Sequence, residues 1–312
     1  MLGVPGRISI AYGSNMSTSA ARSQSRASQL SHNAYGKSGV RLTKVIRHPD
    51  RQELKELTVN VELEGAFESS YIDGDNKSII ATDSMKNTVY VLAASHPLDS
   101  IESFAIVLAK HFLDKYEQVK QSVVNIVEDL WVRIPIDGKP HPHAFISGGQ
   151  QKRATTVMCD GETFTVQSSI TSLQVAKTTN SQFWGFVRDE YTTLPETKDR
   201  IMGTSIDANW VYGSASADAD SDFYNSAHKK VYDILLDVFA THESMAVQQT
   251  LYQMGDRVIS QIPEIDEITI LMPNQHRIMF NLEPFGQKNK NEIFYPIDEP
   301  FGLISGTVSR GE

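Results

Sequence analysis

The sequence predicts an α+β protein in which antiparallel sheets carry their helices on one face and one structural unit is used twice. Three observations lead there. Extended runs alternate β-branched and polar residues with the period of two that suits a half-buried strand. Between them lie stretches whose apolar residues recur every three or four positions, as on an amphipathic helix. The order strands, helical segment, strands then occurs once in each half of the 312 residues, as an internal duplication gives.

Taken in order, strands are expected at 40–46 (VRLTKVI), 56–65 (ELTVNVELEG) and 87–93 (NTVYVLA). On this reading the stretch 79–90, IIATDSMKNTVY, is two buried strand ends joined by six residues, five of them polar. Two residues are enough to turn a hairpin, so the hydroxyl, carboxylate and ammonium from Thr82 onward ask for a purpose. Alone, they read as an ordinary polar loop. A helix follows, with Ile101, Phe104, Ala105, Leu108 and Phe112 on one face and Asp99 as its cap, Glu102 three residues on. Strand returns at 123–135, and SGGQQ (147–151) marks a turn at which the first unit ends.

The second half repeats the plan. Strands are expected at 153–159, 164–177 and 207–213. Helical spacing links Phe223, Ala227, Val231, Leu235 and Val238, then Val247, Leu251, Met254 and Val258, with Pro263 ending the second helix. Strands close the chain at 267–273 and 276–282, and IATDSMKN (80–87) has a faint counterpart in VAKTTNSQ (175–182). The division is therefore an extension over 1–32, a first unit over 33–150 and a second over 151–312. Sheets of this kind leave edge strands unpaired, and closing those edges against another chain gives an oligomeric β-barrel.

The extension has no Asp or Glu from Met1 to His32, and Arg7, Arg22 and Arg26 stand among serines and alanines. Such a segment buries too little apolar surface to offset its ordering entropy, so disorder is expected. An organelle transit segment and a translation start at Met16 are alternative readings. The final SRGE lacks a Ser-Lys-Leu address, so a cytoplasmic location is expected, with a peroxisomal one as the alternative if further residues follow. A net charge of −9 disfavours a nucleic-acid partner. The chain has no apolar run of about 18 residues, so no membrane span is expected. Cys159 is the sole cysteine, which excludes an internal disulfide and a cysteine-rich zinc site. His141 and His143 in HPHAF lack the further ligands a structural zinc normally takes, and a hydrogen-bonding role is expected for them.

Four separated stretches carry more. They are YGKSGVRLTKV (35–45), ATDSMKNTVY (81–90), TNSQFWGFVRDEYTTLPETKDRI (179–201), and the pair AVQQTLYQMG (246–255) and MPNQHRIMF (272–280). With IDGKPHPHAFI (136–146), this series resembles the urate oxidase (uricase) family from about Asn33 to Arg310. The resemblance implies a tunnel fold (T-fold) of tandem repeats, a homotetramer with shared active sites, and oxidation of urate by O2 without cofactor or metal. It implies that Lys37, Thr82 and His276 form a proton relay. Phe183 would stack on the flat substrate, and Arg200 and Gln248 would clamp it. Val247 and Asp83 would offer backbone groups, Leu194 an apolar wall, and Asn274 with Thr82 would hold O2 or water.

Each role has a physical basis. Aromatic stacking suits a purine-like ring, a guanidinium fork matches a planar anion where a lysine cannot, and an amide both donates and accepts. Taken singly, Phe183 reads as core, Arg200 as an ion pair with Asp199 or Glu196, and Gln248 as an exposed helix residue. One position departs from the family pattern: Gln275 stands where a lysine is common, and it reads as a surface change. Two further readings stand beside the first. One is another tunnel-fold enzyme acting on pterin-like rings with a zinc ion, and the other is a purine-binding paralogue without turnover.

Overall fold

The computed structural model describes residues 28–161, 163–213 and 219–311. The expected disorder of the N-terminal extension falls, for residues 1–27, outside the described residues; residues 28–32 take neither helix nor strand. From Asn33 onward the chain is one compact unit. Its elements run β1 (Ala34–Arg47), β2 (Gln52–Gly65), α1 (Glu68–Ile72), α2 (Thr82–Ser95), α3 (Ile101–Lys115), β3 (Val119–Ile136) and β4 (Lys139–Cys159). They continue with β5 (Phe164–Lys177), β6 (Met202–Tyr212), α4 (Ser221–Thr241), α5 (Val247–Gln261), β7 (Ile265–Leu271), β8 (Asn274–Met279), β9 (Phe294–Gly302) and β10 (Ser305–Ser309).

The strands form one antiparallel sheet in the order β1-β2-β3-β4-β5-β6-β7-β10, with β8 pairing β6 and β9. Alternation decides which face is covered. In β2, Leu57, Val59, Val61 and Leu63 are buried, while Asn60 between them bonds along the opposite face to Asn125 of β3. The helices lie on the apolar face, α2 against β1, α3 against β3 and β4, α4 against β5, and α5 against β7 and β10. Gly255 lets α5 approach closely, since a β-carbon there would come within 2.5 Å of Val308. The α+β expectation therefore holds, but the sheet stays open within the chain. Among the described residues, β1 and β10 have one neighbour each. No helix among them is long and apolar enough to cross a membrane.

Four expectations are corrected. Residues 87–93 are not a strand: they belong to α2, where Met85, Val89 and Ala93 recur every four residues and are buried. Thr88, Val89, Tyr90 and Val91 favour strand locally, but the four-residue spacing meets the sheet and wins. Thr82 and Asp83 thus open a helix, and the six-residue loop does not exist. Ser100, not Asp99, caps α3, its hydroxyl accepting from the Ser103 N–H at 3.1 Å. SGGQQ is no turn. It lies inside β4, where Gly149 takes φ 97° beside a register shift against β3, so position 150 falls mid-strand. The likeness of 80–87 to 175–182 also fails, because the first stretch leads from β2 into α2 and the second ends β5.

Beneath α3 and α4 lies a buried ionic contact. Glu102, fully buried, accepts from Arg153 Nη2 at 2.7 Å and from Ser168 Oγ at 2.6 Å, and Arg153 also donates to Asn225 of α4. Removing one partner strands a charge without water. Arg153→Met is expected to lower stability by about 3–5 kcal/mol, read from urea unfolding. Pairing it with Glu102→Gln should recover part of that loss.

Candidate active site

The predicted residues gather into two groups. Lys37, Thr82 and Asp83 form the first, on β1 and α2. Lys37 stands opposite Val61, which is buried toward the helices, so its side chain leaves the sheet on the helix face. Two glycines hold it there. A β-carbon on Gly36 would sit 1.9 Å from the Val61 carbonyl oxygen, and Gly39 takes φ 70° in the bulge that follows Lys37. Tyr35 brings the start of α2 to this point. Its hydroxyl accepts from the Ile80 N–H at 2.7 Å and donates to the Ile80 carbonyl at 3.3 Å. The Lys37 side chain makes no hydrogen bond or ion pair among the described residues. The nearby Asp83 carboxylate is engaged by Lys86 at 2.6 Å, which, with the Coulombic pull of Lys86, holds it below the usual carboxylate range.

The second group is Phe183, Arg200, Val247, Gln248, Asn274 and His276, with Leu194 at its margin. Arg200 is anchored to Ser181, its backbone N–H to the Ser181 carbonyl at 2.9 Å and its Nε to Oγ at 3.3 Å. Its guanidinium carbon lies 5.3 Å from the Phe183 ring centroid, and Phe186 backs that ring nearly parallel at 4.9 Å. Burial pushes the Arg200 side chain below its ordinary value. No ion pair to Asp199 or Glu196 forms: Asp199 accepts from Thr179 and Glu196 from the Gly185 N–H. Ser181 pairs with Ser244, which delivers the start of α5. There Val247 is buried and the Gln248 side chain is exposed. Asn274 stands opposite Thr204 of β6, and His276 lies two residues along β8. Leu194 is 52% exposed in the single chain.

Both groups include an uncapped helix start. Ser100 and Asp220 cap α3 and α4 by side-chain hydrogen bonds, whereas Ala81 before α2 and Ala246 before α5 cannot. First-turn N–H groups at Thr82, Asp83, Val247 and Gln248 therefore face outward with the positive end of the helix dipole, a setting that attracts an anion. The groups do not meet within one chain. Four strands separate β1 from β6, roughly 24 Å along the sheet at the usual strand spacing. Among the described residues no hydrogen bond, ion pair or ring contact joins them, so His276 is not beside Lys37.

A model of the Uricase family matches residues 33–158 and 166–305. The uricase of Arthrobacter globiformis is 41% identical over 281 residues, spanning 90% of each chain, and that of Cyberlindnera jadinii is 39% identical over 91% of this chain and 97% of its own. The chain belongs to the uricase family. The crystal structure of uricase from Arthrobacter globiformis superposes with a TM-score of 0.85 at 40% identity, covering 91% of this chain and 96% of that one. The tunnel fold expected for a uricase is thus the fold found here.

Set against the uricase pattern, Gln275 is half-buried opposite Gly203, not the surface change expected. The rings of His141 and His143 meet edge to face at 4.6 Å. Among the described residues no three His, Cys, Asp or Glu side chains are grouped to hold a metal. Sequence reasoning missed Tyr35, Ser181 and Ser244, which position the predicted residues without matching a chemical role. Their signal was adjacency alone: Tyr35 lies two residues before Lys37 on one strand, and Ser181 two before Phe183.

Proposed function

We propose that this chain oxidises urate: urate, O2 and water yield 5-hydroxyisourate and hydrogen peroxide. One observation carries the reading. A chain that matches uricases over about nine-tenths of its length also holds the clamp residue types beside a helix start open to an anion. In this reading urate lies on Phe183 with its carbonyl edge on the Arg200 fork and its other edge on Gln248 and the Val247 N–H. Removing a second proton makes the ring electron-rich enough to reduce O2 directly, so no cofactor is required. Lys37 takes that proton, Thr82 relays it because a hydroxyl accepts and donates, and His276 passes it on. Asn274 and Thr82 hold O2, then water, above the ring.

The separation of the two groups gives the reading its assembly. Two chains close a ring by placing β1 of one beside the far end of the other's sheet, which covers both open edges. Each site then takes Lys37, Thr82 and Asp83 from one chain and the remaining residues from its partner, and two such rings make a homotetramer. The two-repeat division, at a point between β4 and β5, is part of this proposal. Loss of the urate absorbance band with stoichiometric peroxide tests the reaction, and absence of both would overturn it. Arg200→Lys is expected to weaken binding of 8-azaxanthine, a urate analogue that is not oxidised, about 10-fold or more, because a point charge replaces a bidentate fork. Calorimetry reads this directly. Unchanged affinity would remove Arg200 from the clamp.

A further inference from the structure

Lys44 and Lys177 occupy matching places in the two halves. Lys44, on β1, sends its ammonium to the end of α2, donating to the carbonyls of Ala93 at 2.9 Å and His96 at 2.5 Å. Lys177, the last residue of β5, donates to the carbonyl of His242, which closes α4, at 2.7 Å. Its Nζ also lies 5.6 Å from the Phe239 ring centroid. A cation at a helix C-terminus is favoured by the dipole and satisfies orphan carbonyls. That much accounts for both lysines as structural.

Their surroundings differ. Thr82 is at the other end of the 14-residue α2 from the Lys44 contact, about 20 Å away at the helical rise. Both strands of chain joined by Lys177, in contrast, run directly into the second group. One leads through 178–182 to Phe183, the other through 243–246 to Val247 and Gln248. Between them the Ser244 N–H donates to the Asn180 carbonyl at 3.0 Å and the Gln182 N–H to the Ser244 carbonyl at 2.7 Å. Ser181 and Ser244 are fully buried at this crossing, and Arg200 hangs on Ser181. So short a pairing is marginal by itself, and the Lys177 bond closes its end.

We propose that Lys177 is a positioning residue for the substrate clamp. Its bond to the His242 carbonyl sets how residues 178–182 lie against 243–246, and so fixes Phe183 and Arg200 relative to Val247 and Gln248. The inference rests on the reading of that group as the urate clamp. Lys44 makes the same kind of bond without this consequence, which supplies an internal control.

The test compares Lys177→Met with Lys44→Met in the full chain. Lys177→Met should raise KM for urate about tenfold with kcat changed less than about twofold, because the clamp is used in ground and transition states alike. It should also speed amide hydrogen exchange in 178–183 and 243–248. Lys44→Met should lower the melting temperature to a similar degree while leaving KM and exchange in those segments at wild-type values. Lys177→Arg, which keeps the cation, should restore much of the KM; if the methionine variant fails to fold, Lys177→Gln takes its place. Equal KM values for the Lys177 and Lys44 variants overturn the proposal, as does unchanged exchange in both segments. Wild-type protein that leaves urate unoxidised would overturn the functional reading instead, since exchange reads the clamp without substrate.

Discussion

Lys37→Met is expected to lower kcat on urate by about 10²–10⁴-fold, the usual contribution of a general base, while affinity for 8-azaxanthine stays within a few-fold. The reason lies in how the groups divide. Phe183, Arg200 and Gln248, the proposed grip on the ring, belong to elements that Lys37 does not touch. The lysine itself is held by a backbone that leaves no room to improvise, between the tight Gly36 and the bulge at Gly39. Its amine is committed to no carboxylate among the described residues, since Asp83 is taken by Lys86. Methionine keeps the length and apolar stem and removes only the proton acceptor. Steady-state kinetics with parallel analogue binding measures both effects. A kcat loss below tenfold would remove Lys37 from the role of base, and a matching loss of analogue affinity would place it in the clamp.

The second large effect is complementation between two dead proteins. Thr82→Ala and Arg200→Ala should each be nearly inactive alone, one lacking the relay and the other the fork. Co-expressed chains that pair at random put about half of the pairs in mixed form, each with one intact and one doubly damaged site. Roughly a quarter of wild-type activity should therefore return. Recovery requires that Thr82 and Arg200 of one site come from different chains. Folded, freely pairing chains that show no recovery would confine each site to a single chain, against the separation of β1 and β6 across four strands.

Most of the fold was legible because its signals are local. Alternation in 56–65 and 123–135 is a direct imprint of one covered face, and it read correctly without tertiary knowledge. Helical spacing in 101–112 and 223–258 did the same. The failure at 87–93 is instructive. Thr88, Val89, Tyr90 and Val91 are β-formers in a row, and four residues cannot distinguish a period of two from one of 3.6 when most are apolar. Only Met85 and Ala93, each four residues from Val89, carry the helical register, and their meaning depends on a sheet beneath them. SGGQQ misled for the converse reason: glycines that turn a chain also bend a long strand at a bulge.

For the site, the sequence by itself determined which side chains are present and in what order, since motif identity survives without coordinates. It places Lys37, Thr82, Arg200, Gln248 and Asn274 at the positions that the proposed site uses. Only the tertiary structure decided that Thr82 and Asp83 open a helix, that α2 and α5 alone among the four long helices begin without a side-chain cap, and that the residues fall into two groups. These facts depend on contacts between segments far apart in the chain, such as Tyr35 with Ile80 and Ser181 with Ser244. A sequence records each partner of such a contact but not their meeting, because the free energy that joins them comes from burial against a sheet assembled from the whole chain.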